Sequence, residues 1–301
     1  MSTSDLSSLP GTGGRPWWTF LAVAMLVSIA LRVALPSGIA VEHFDEGVYA
    51  SNLWCPDTDF RYPDRHLYAP PLLPALIELL LLVLGPGQIV PSLVCLVAGI
   101  SLVPLLGEMS RRWLGEPAAR AIVTLAVFSD LHILYSRTGL TDVLWTTWLV
   151  AALWLIHAAL RRSRPLLVIA AGIAVGLGWW TKYTGWLPLA ISLAGIGGAL
   201  VLGTAGGVQA RRWLRGLLLI SIVAGMTIAP HFIALADDGG YSAVVENHGR
   251  YLVGLGGWIS TLTTQADNHI HLESGLGALG LVLAVWLAAG RPWRFTWNAG
   301  T

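Results

Sequence analysis

The sequence predicts an all-α polytopic membrane protein, a bundle of about eight transmembrane helices with one further helix at the membrane surface. Three observations carry that prediction. Hydrophobic residues make up 55% of the chain and charged residues 12%, where a soluble domain carries roughly a quarter charged; mean hydropathy is +0.66. Long apolar runs recur at lengths close to what a ~30 Å hydrocarbon core demands. Arginine pairs and triplets (Arg111/Arg112, Arg161/Arg162/Arg164, Arg211/Arg212/Arg215, Arg291/Arg294) fall in alternate gaps between those runs, while acidic residues gather mostly in the others. Arginine excess marks the cytoplasmic side, so the acidic loops face outward.

The eight runs, in order, are 17–36, 88–106, 118–135, 142–160, 165–181, 184–204, 214–234 and 273–290. The first follows a short polar tail, 1–16. Gly38-Ile39-Ala40 could mimic a signal-peptidase site, but a run of about twenty residues suits a span better than a signal core. The expectation is an uncleaved first helix, with both termini cytoplasmic. The run Leu72–Leu84 is different: it is short, follows Pro70 and Pro71, and contains Pro74 and Glu78. If it crossed, every later arginine loop would move outside, so it is expected to lie in or partly enter the outer interface. The resulting organisation is a tail 1–16, a membrane module 17–234 whose first outer loop is 37–87, an outer loop 235–272, and a last helix with its cytoplasmic end, 273–301. Clustered glycines such as Gly195, Gly197, Gly198, Gly203, Gly206 and Gly207 fit close helix packing or short loops.

These features exclude several functions. The basic clusters are short loops beside spans rather than a continuous groove, which gives nucleic-acid binding no support. A site built from outward-facing acids argues against cytosolic nucleotide chemistry. Cys55 and Cys95 are the only cysteines, one in the first outer loop and one in an apolar run, so neither a bridge nor a cysteine metal cluster is expected. Transporters place charge near the bilayer midplane, whereas these span interiors are largely uncharged; Arg32, near the outer end of the first span, is a partial exception.

Four segments converge on the outer surface once the topology is drawn: His43-Phe44-Asp45-Glu46, the aromatic and proline run Tyr62 to Pro74, Tyr135-Ser136-Arg137-x4-Asp142, and Trp179-Trp180-Thr181-Lys182-Tyr183. Lys182 is the sole lysine among seventeen arginines. Carboxylates beside fixed cations suit a reaction that needs a base and a bound anion. Each has a plainer reading: a solvated acidic pair, cations snorkelling from helix ends, an ordinary aromatic belt. The default for Trp179 and Trp180 is the belt.

Phe44-Asp45-Glu46 after the first span, Tyr135-Ser136-Arg137-x4-Asp142, and Gly176 through Gly185 around Lys182 resemble the GT-C type membrane glycosyltransferases. The similarity is to the dolichyl-phosphate-mannose protein mannosyltransferases and their bacterial cousins, including the lipid A aminoarabinose transferases, over about residues 17–205. It implies a polyprenyl-phosphate sugar donor and transfer, with inversion, to an extracytoplasmic protein, glycan or lipid at the cell membrane. It implies catalytic roles for Asp45, Glu46 and Asp142, and donor-phosphate binding by Arg137 and Lys182. His66, Tyr68, His248 and Arg250 are candidate acceptor or lid residues. No cofactor is required, and a divalent metal is allowed through Glu42, His43, Asp45 and Glu46. Two positions depart from the pattern: Ala69 stands where relatives often carry His before the paired prolines, and Asp130 where proline is usual. The chain is also short for the family, which leaves a compact enzyme, a truncated product or an inactive paralogue open, with a flippase of lipid-linked sugars as the rival from another class.

Overall fold

The computed structural model describes residues 15–34, 44–50, 70–162, 164–236, 240–249, 254–273 and 275–289. Among them every regular element is a helix: α1 (Arg15–Val33), α2 (Phe44–Ala50), α3 (Leu72–Leu84), α4 (Val90–Leu114), α5 (Glu116–Phe128), α6 (Asp130–Ser136), α7 (Thr141–Arg162), α8 (Pro165–Thr181), α9 (Leu187–Val201), α10 (Gly207–Leu235), α11 (Gly240–Gly249), α12 (Gly254–Leu272) and α13 (Leu276–Ala289). The protein is an all-α polytopic membrane protein. Within the described residues each of the eight apolar runs carries a helix, the third in two pieces. Four helices (α1, α4, α7 and α10) are long and apolar enough to cross, and α5 with α6 makes a fifth candidate bent by 58°. The remaining three, α8, α9 and α13, are shorter; at 1.5 Å per residue, α8 reaches about 25 Å. The segment 235–272, read as a loop, instead carries α11 and α12.

The chain divides into two units. The first comprises residues 1–36, 100–134 and 269–301. Its core is Trp17, Leu21 and Ala24 of α1, Val103 of α4, and Ala119, Val123 and Val127 of α5. The bend at Ser129 frees amide groups that an unbroken helix would have bonded internally. Glu273 takes them: its carboxylate accepts from Ser129 Oγ, from the Asp130 N–H at 2.9 Å and from the Leu131 N–H at 3.3 Å. Asp130 returns the favour by accepting the N–H groups of Gly275 (3.0 Å) and Gly277 (2.9 Å) at the start of α13. Asp130, where the resemblance leads one to expect proline, is thus one half of a reciprocal pair of helix caps. Arg32 is fully buried in this unit. It donates to Ser28 Oγ (2.8 Å), the Ala126 carbonyl (3.1 Å) and His132 Nδ1 (2.7 Å). The same His132 nitrogen also lies 3.2 Å from the Ala126 carbonyl, so arginine, histidine and carbonyl form one buried polar cluster.

The second unit comprises residues 37–99 and 135–268. Its largest core cluster joins α7 (Ala152, Ile156, Ala159), α8 (Ala171, Ala174, Val175), α9 (Ile196) and α10 (Leu217, Ile220, Ala224). Small residues let the helices approach. A Cβ at Gly172 would fall 2.5 Å from Val223 Cβ, and one at Gly176 would fall 2.5 Å from Thr227 Cβ. Four residues apart on one face of α8, these glycines form a small-xxx-small seam against α10. Gly195, Gly197 and Gly198, by contrast, have open space around them, so the packing role expected of the glycine clusters falls on α8 instead. Helix α3 has the expected bounds. It packs Leu73 and Ile77 against Cys95 and Ala98 of α4 and Val143 and Leu144 of α7, while Leu79, Leu82, Val83 and Leu84 stay exposed.

Candidate active site

α7 and α8 form an antiparallel hairpin, so the start of α7 and the end of α8 share one end of the second unit. Asp142 lies in the first turn of α7 and Lys182 is the residue that caps α8. A helix dipole favours an anion at its N-terminus and a cation at its C-terminus, so each residue sits where its charge is stabilised locally. They meet: Lys182 Nζ donates to Asp142 Oδ1 at 2.7 Å. One helical turn further along α7, the Trp145 ring centroid lies 5.9 Å from the same ammonium, within cation–π range. The pair is not sealed, since the side chains are 37% and 48% exposed respectively. Solvent and a ligand can both reach it.

The turn that aims Lys182 is set by glycine. The Lys182 N–H donates to the Gly178 carbonyl (3.0 Å), ending α8, and the Gly185 N–H donates to the Lys182 carbonyl (2.8 Å). Gly185 folds directly onto α8: a Cβ there would lie 2.2 Å from the Trp179 backbone nitrogen. No other residue type fits without moving the turn.

The segment entering α7 is fixed at three successive points. Ser136, fully buried at the end of α6, faces Gly99 of α4 so closely that a Cβ on Gly99 would overlap its hydroxyl. The Gly139 N–H donates to Glu46 Oε1 of α2. Cys95 Sγ of α4 donates to the Leu140 carbonyl at 3.0 Å. Arg137 lies in this same turn, partly buried. Glu46 and Cys95 thus hold neighbouring residues, Gly139 and Leu140, three and two positions before Asp142, which ties the first-loop acid and the α7 acid to one locality.

Beside the lysine, Tyr183 is the hub of an aromatic cluster. Its ring stacks on His231 (5.9 Å) and meets Tyr241 (5.8 Å) and His248 (5.8 Å) edge-on. Phe232 packs against Trp179 (5.5 Å) and Tyr241 (5.4 Å), and Trp180 Nε1 donates to the Thr227 carbonyl at 2.7 Å. The tryptophans read as membrane-belt residues therefore join α8 to α10, and Tyr241 and His248 bring α11 against the lysine turn. Burial pushes both phenols, Tyr183 and Tyr241, above the ordinary tyrosine range. His248 Nδ1 lies 2.9 Å from the Val244 carbonyl; a carbonyl only accepts, so Nδ1 holds the proton and Nε2 is the basic nitrogen.

Of the site residues expected from sequence, the structure brings Asp142 to Lys182 and Glu46 to the Arg137–Leu140 turn, and docks His248 beside Tyr183. Asp45 lies on α2, one residue before Glu46, with its side chain outside the described part. His66, Tyr68 and Arg250, like Glu42 and His43, lie outside the described residues. Gly139, Gly185, Cys95 and Trp145 were not legible as site residues; only the glycines carried a signal, their place in tight turns. Among the described residues no three His, Cys, Asp or Glu side chains come together as metal ligands; of the four candidates Glu42, His43, Asp45 and Glu46, only the Glu46 side chain is described.

A sequence model described as dolichyl-phosphate-mannose-protein mannosyltransferase matches residues 68–233, just over half of the chain. “Putative mannosyltransferase YkcB” of Bacillus subtilis (strain 168) is 29% identical over 85 residues, 28% of this chain and 12% of that protein. Two crystal structures of the Archaeoglobus fulgidus oligosaccharyltransferase share the fold. One, in complex with Zn and sulfate, gives a TM-score of 0.52 at 18% identity, covering 90% of this chain and 39% of that one. The other, tethered to an acceptor peptide, gives 0.54 at 14% identity, covering 92% and 38%. The chain thus spans well under half the length of the proteins it matches.

Proposed function

The chain belongs to the dolichyl-phosphate-mannose-protein mannosyltransferase family, and from that membership we propose that it is a glycosyltransferase that moves a sugar from a polyprenyl-phosphate donor to an extracytoplasmic acceptor. The observation that carries the reading is the half-exposed ion pair of Lys182 with Asp142, set beside the Arg137 turn at one end of the α7–α8 hairpin. The family match ends at residue 233, which supports a catalytic module reaching to about residue 234. Positive-inside topology puts this end of the hairpin outside the cytoplasm of a cell-membrane protein.

Transfer is a single displacement at the anomeric carbon, which inverts that centre. The acceptor hydroxyl or amine attacks opposite the phosphate, and Asp45 takes its proton. The bond from the anomeric carbon to the phosphate oxygen breaks, and polyprenyl monophosphate leaves with the electron pair. Lys182 and Arg137 stabilise the charge that grows on it, Lys182 as a point charge and Arg137 as a fork. Asp142 holds the ammonium at the phosphate site in the absence of donor. The apolar exposed face of α3 and the helix ends beside it would carry the lipid tail, and α11 would cover the site or read the acceptor. Protein, glycan and lipid acceptors all suit this chemistry.

The test is to follow label from a polyprenyl-phosphate sugar in proteoliposomes holding the full chain. Label arriving on an acceptor supports the reading. Label that only changes leaflet replaces it with a flippase, and label that does neither leaves a non-catalytic scaffold. Asp45→Asn should abolish transfer in a folded protein; full activity in that variant removes Asp45 from the mechanism.

A further inference from the structure

Adjacent acids after the first span read naturally as two acids of the reaction. The geometry gives Glu46 a different job. Glu46 has no accessible surface, and its Oε1 already accepts the Gly139 N–H. A general base must come within hydrogen-bond reach of the proton it takes, and a sealed carboxylate engaged with backbone cannot meet an acceptor hydroxyl. The turn, however, needs what Glu46 provides. A buried amide without an acceptor keeps its full desolvation penalty, and residues 137–140 lie between helices, where no regular ladder supplies one. Gly139 is pressed close: a Cβ would stand 3.3 Å from the Pro91 carbonyl oxygen and 3.5 Å from Glu46 Oε1. The next residue is held by Cys95 at its carbonyl. Two residues beyond that, Asp142 reaches Lys182.

We propose that Glu46 is a positioning residue, whose carboxylate grips the Arg137–Leu140 turn and thereby sets where Arg137 and Asp142 stand relative to Lys182. The same grip anchors α2, a helix of seven residues that is too short to be stable alone, and so fixes the backbone that carries Asp45. The kinetic part of this role rests on the glycosyltransferase reading above; the structural part does not. What the turn requires of residue 46 is an acceptor oxygen at the right reach, which glutamine keeps and alanine lacks.

The experiment compares Glu46→Gln and Glu46→Ala in the reconstituted full chain, by donor kinetics, by the pH profile of transfer, and by hydrogen–deuterium exchange of the peptide covering residues 137–140. Glu46→Gln should retain kcat/KM within about threefold, keep the wild-type pH profile and protect the Gly139 amide. Glu46→Ala should lose about ten- to a hundredfold, the equivalent of a hydrogen bond to a charged group, with KM for the donor rising and Gly139 protection gone. Glutamine as inactive as alanine while the amide stays protected would overturn the proposal, because that is the signature of an acid or base. Alanine that leaves protection intact would overturn it equally. Should Glu46→Ala fail to fold, Glu46→Met, which fills a similar volume without an acceptor oxygen, must reproduce the exchange loss, or the proposal falls. If the wild-type chain transfers no sugar, the functional reading fails, and the exchange comparison still decides the role of Glu46.

Discussion

Replacing Lys182 with methionine separates a ligand-binding lysine from a structural one. The ammonium lies 2.7 Å from the Asp142 carboxylate, but the two side chains are 37% and 48% exposed, so solvent screens the pair. Exposed ion pairs of this kind contribute about 0.2–1 kcal/mol to stability, and methionine keeps much of the apolar stem that lies near Trp145. The loss of fold stability should therefore stay within about 1 kcal/mol. Transfer should suffer far more. A preorganised donor aimed at charge that develops in the transition state is worth about 10²–10³ in kcat, or about 3–4 kcal/mol. Initial rates of label transfer in proteoliposomes, taken with thermal unfolding of the same preparations, give both quantities. The two losses should differ by at least about 2 kcal/mol, the gap between those ranges. Equal losses, or a variant that transfers within threefold of wild type, would reduce Lys182–Asp142 to a surface ion pair and remove the main support for the donor-phosphate site.

Other perturbations test the scaffold around that pair. Gly185→Ala should displace the Lys182 turn from α8 and lower transfer more than stability, because the clash is with backbone that cannot rotate away; matched activity and unfolding measurements decide it. Gly176→Val overpacks the seam against Thr227 and should cost about 1–3 kcal/mol, whereas Gly195→Ala, in open space, should cost nothing measurable by thermal unfolding. Glu273→Ala strips the cap from α6 and should destabilise the first unit by about 1–3 kcal/mol, while Glu273→Gln should recover part of it. Tyr183 and Tyr241 should titrate above the ordinary value of ~10 in an ultraviolet titration of the folded protein, since burial disfavours the phenolate. With the folded values raised, the unfolded chain releases these protons first, so their contribution to stability is complete below ~10 and declines as pH climbs past it. Phenols that ionise at the ordinary value would place both rings in water.

Much of this was readable along the chain because lipid imposes long-range order on a sequence. Apolar run length and arginine placement are set by the bilayer, so α1, α7 and α10, and even the bounds of α3, follow without a fold in hand. Short motifs carried the site for a related reason: Arg137, Asp142 and Lys182 each stand at the end of a predicted helix, where a hairpin must bring ends together. The break at Ser129 left no such mark, and neither did the helices in 235–272, whose polar residues mimic a loop. Chemistry-bearing types were legible, but the backbone contacts that hold them were not.

By itself the sequence determined that the chain is helical and membrane-embedded, and that Asp142 and the one lysine belong to the same end of their helices, because hydropathy and charge are local properties that a bilayer reads directly. Only the tertiary structure decided which of those charges touch. Glu46 turned inward to a glycine amide, Asp130 and Glu273 exchanged caps, and Lys182 met Asp142 across forty residues of sequence. Hydrogen bonds are satisfied by whatever the packing brings within about 3 Å, and that distance is fixed by helix seams such as Gly172 and Gly176, not by any residue's own chemistry.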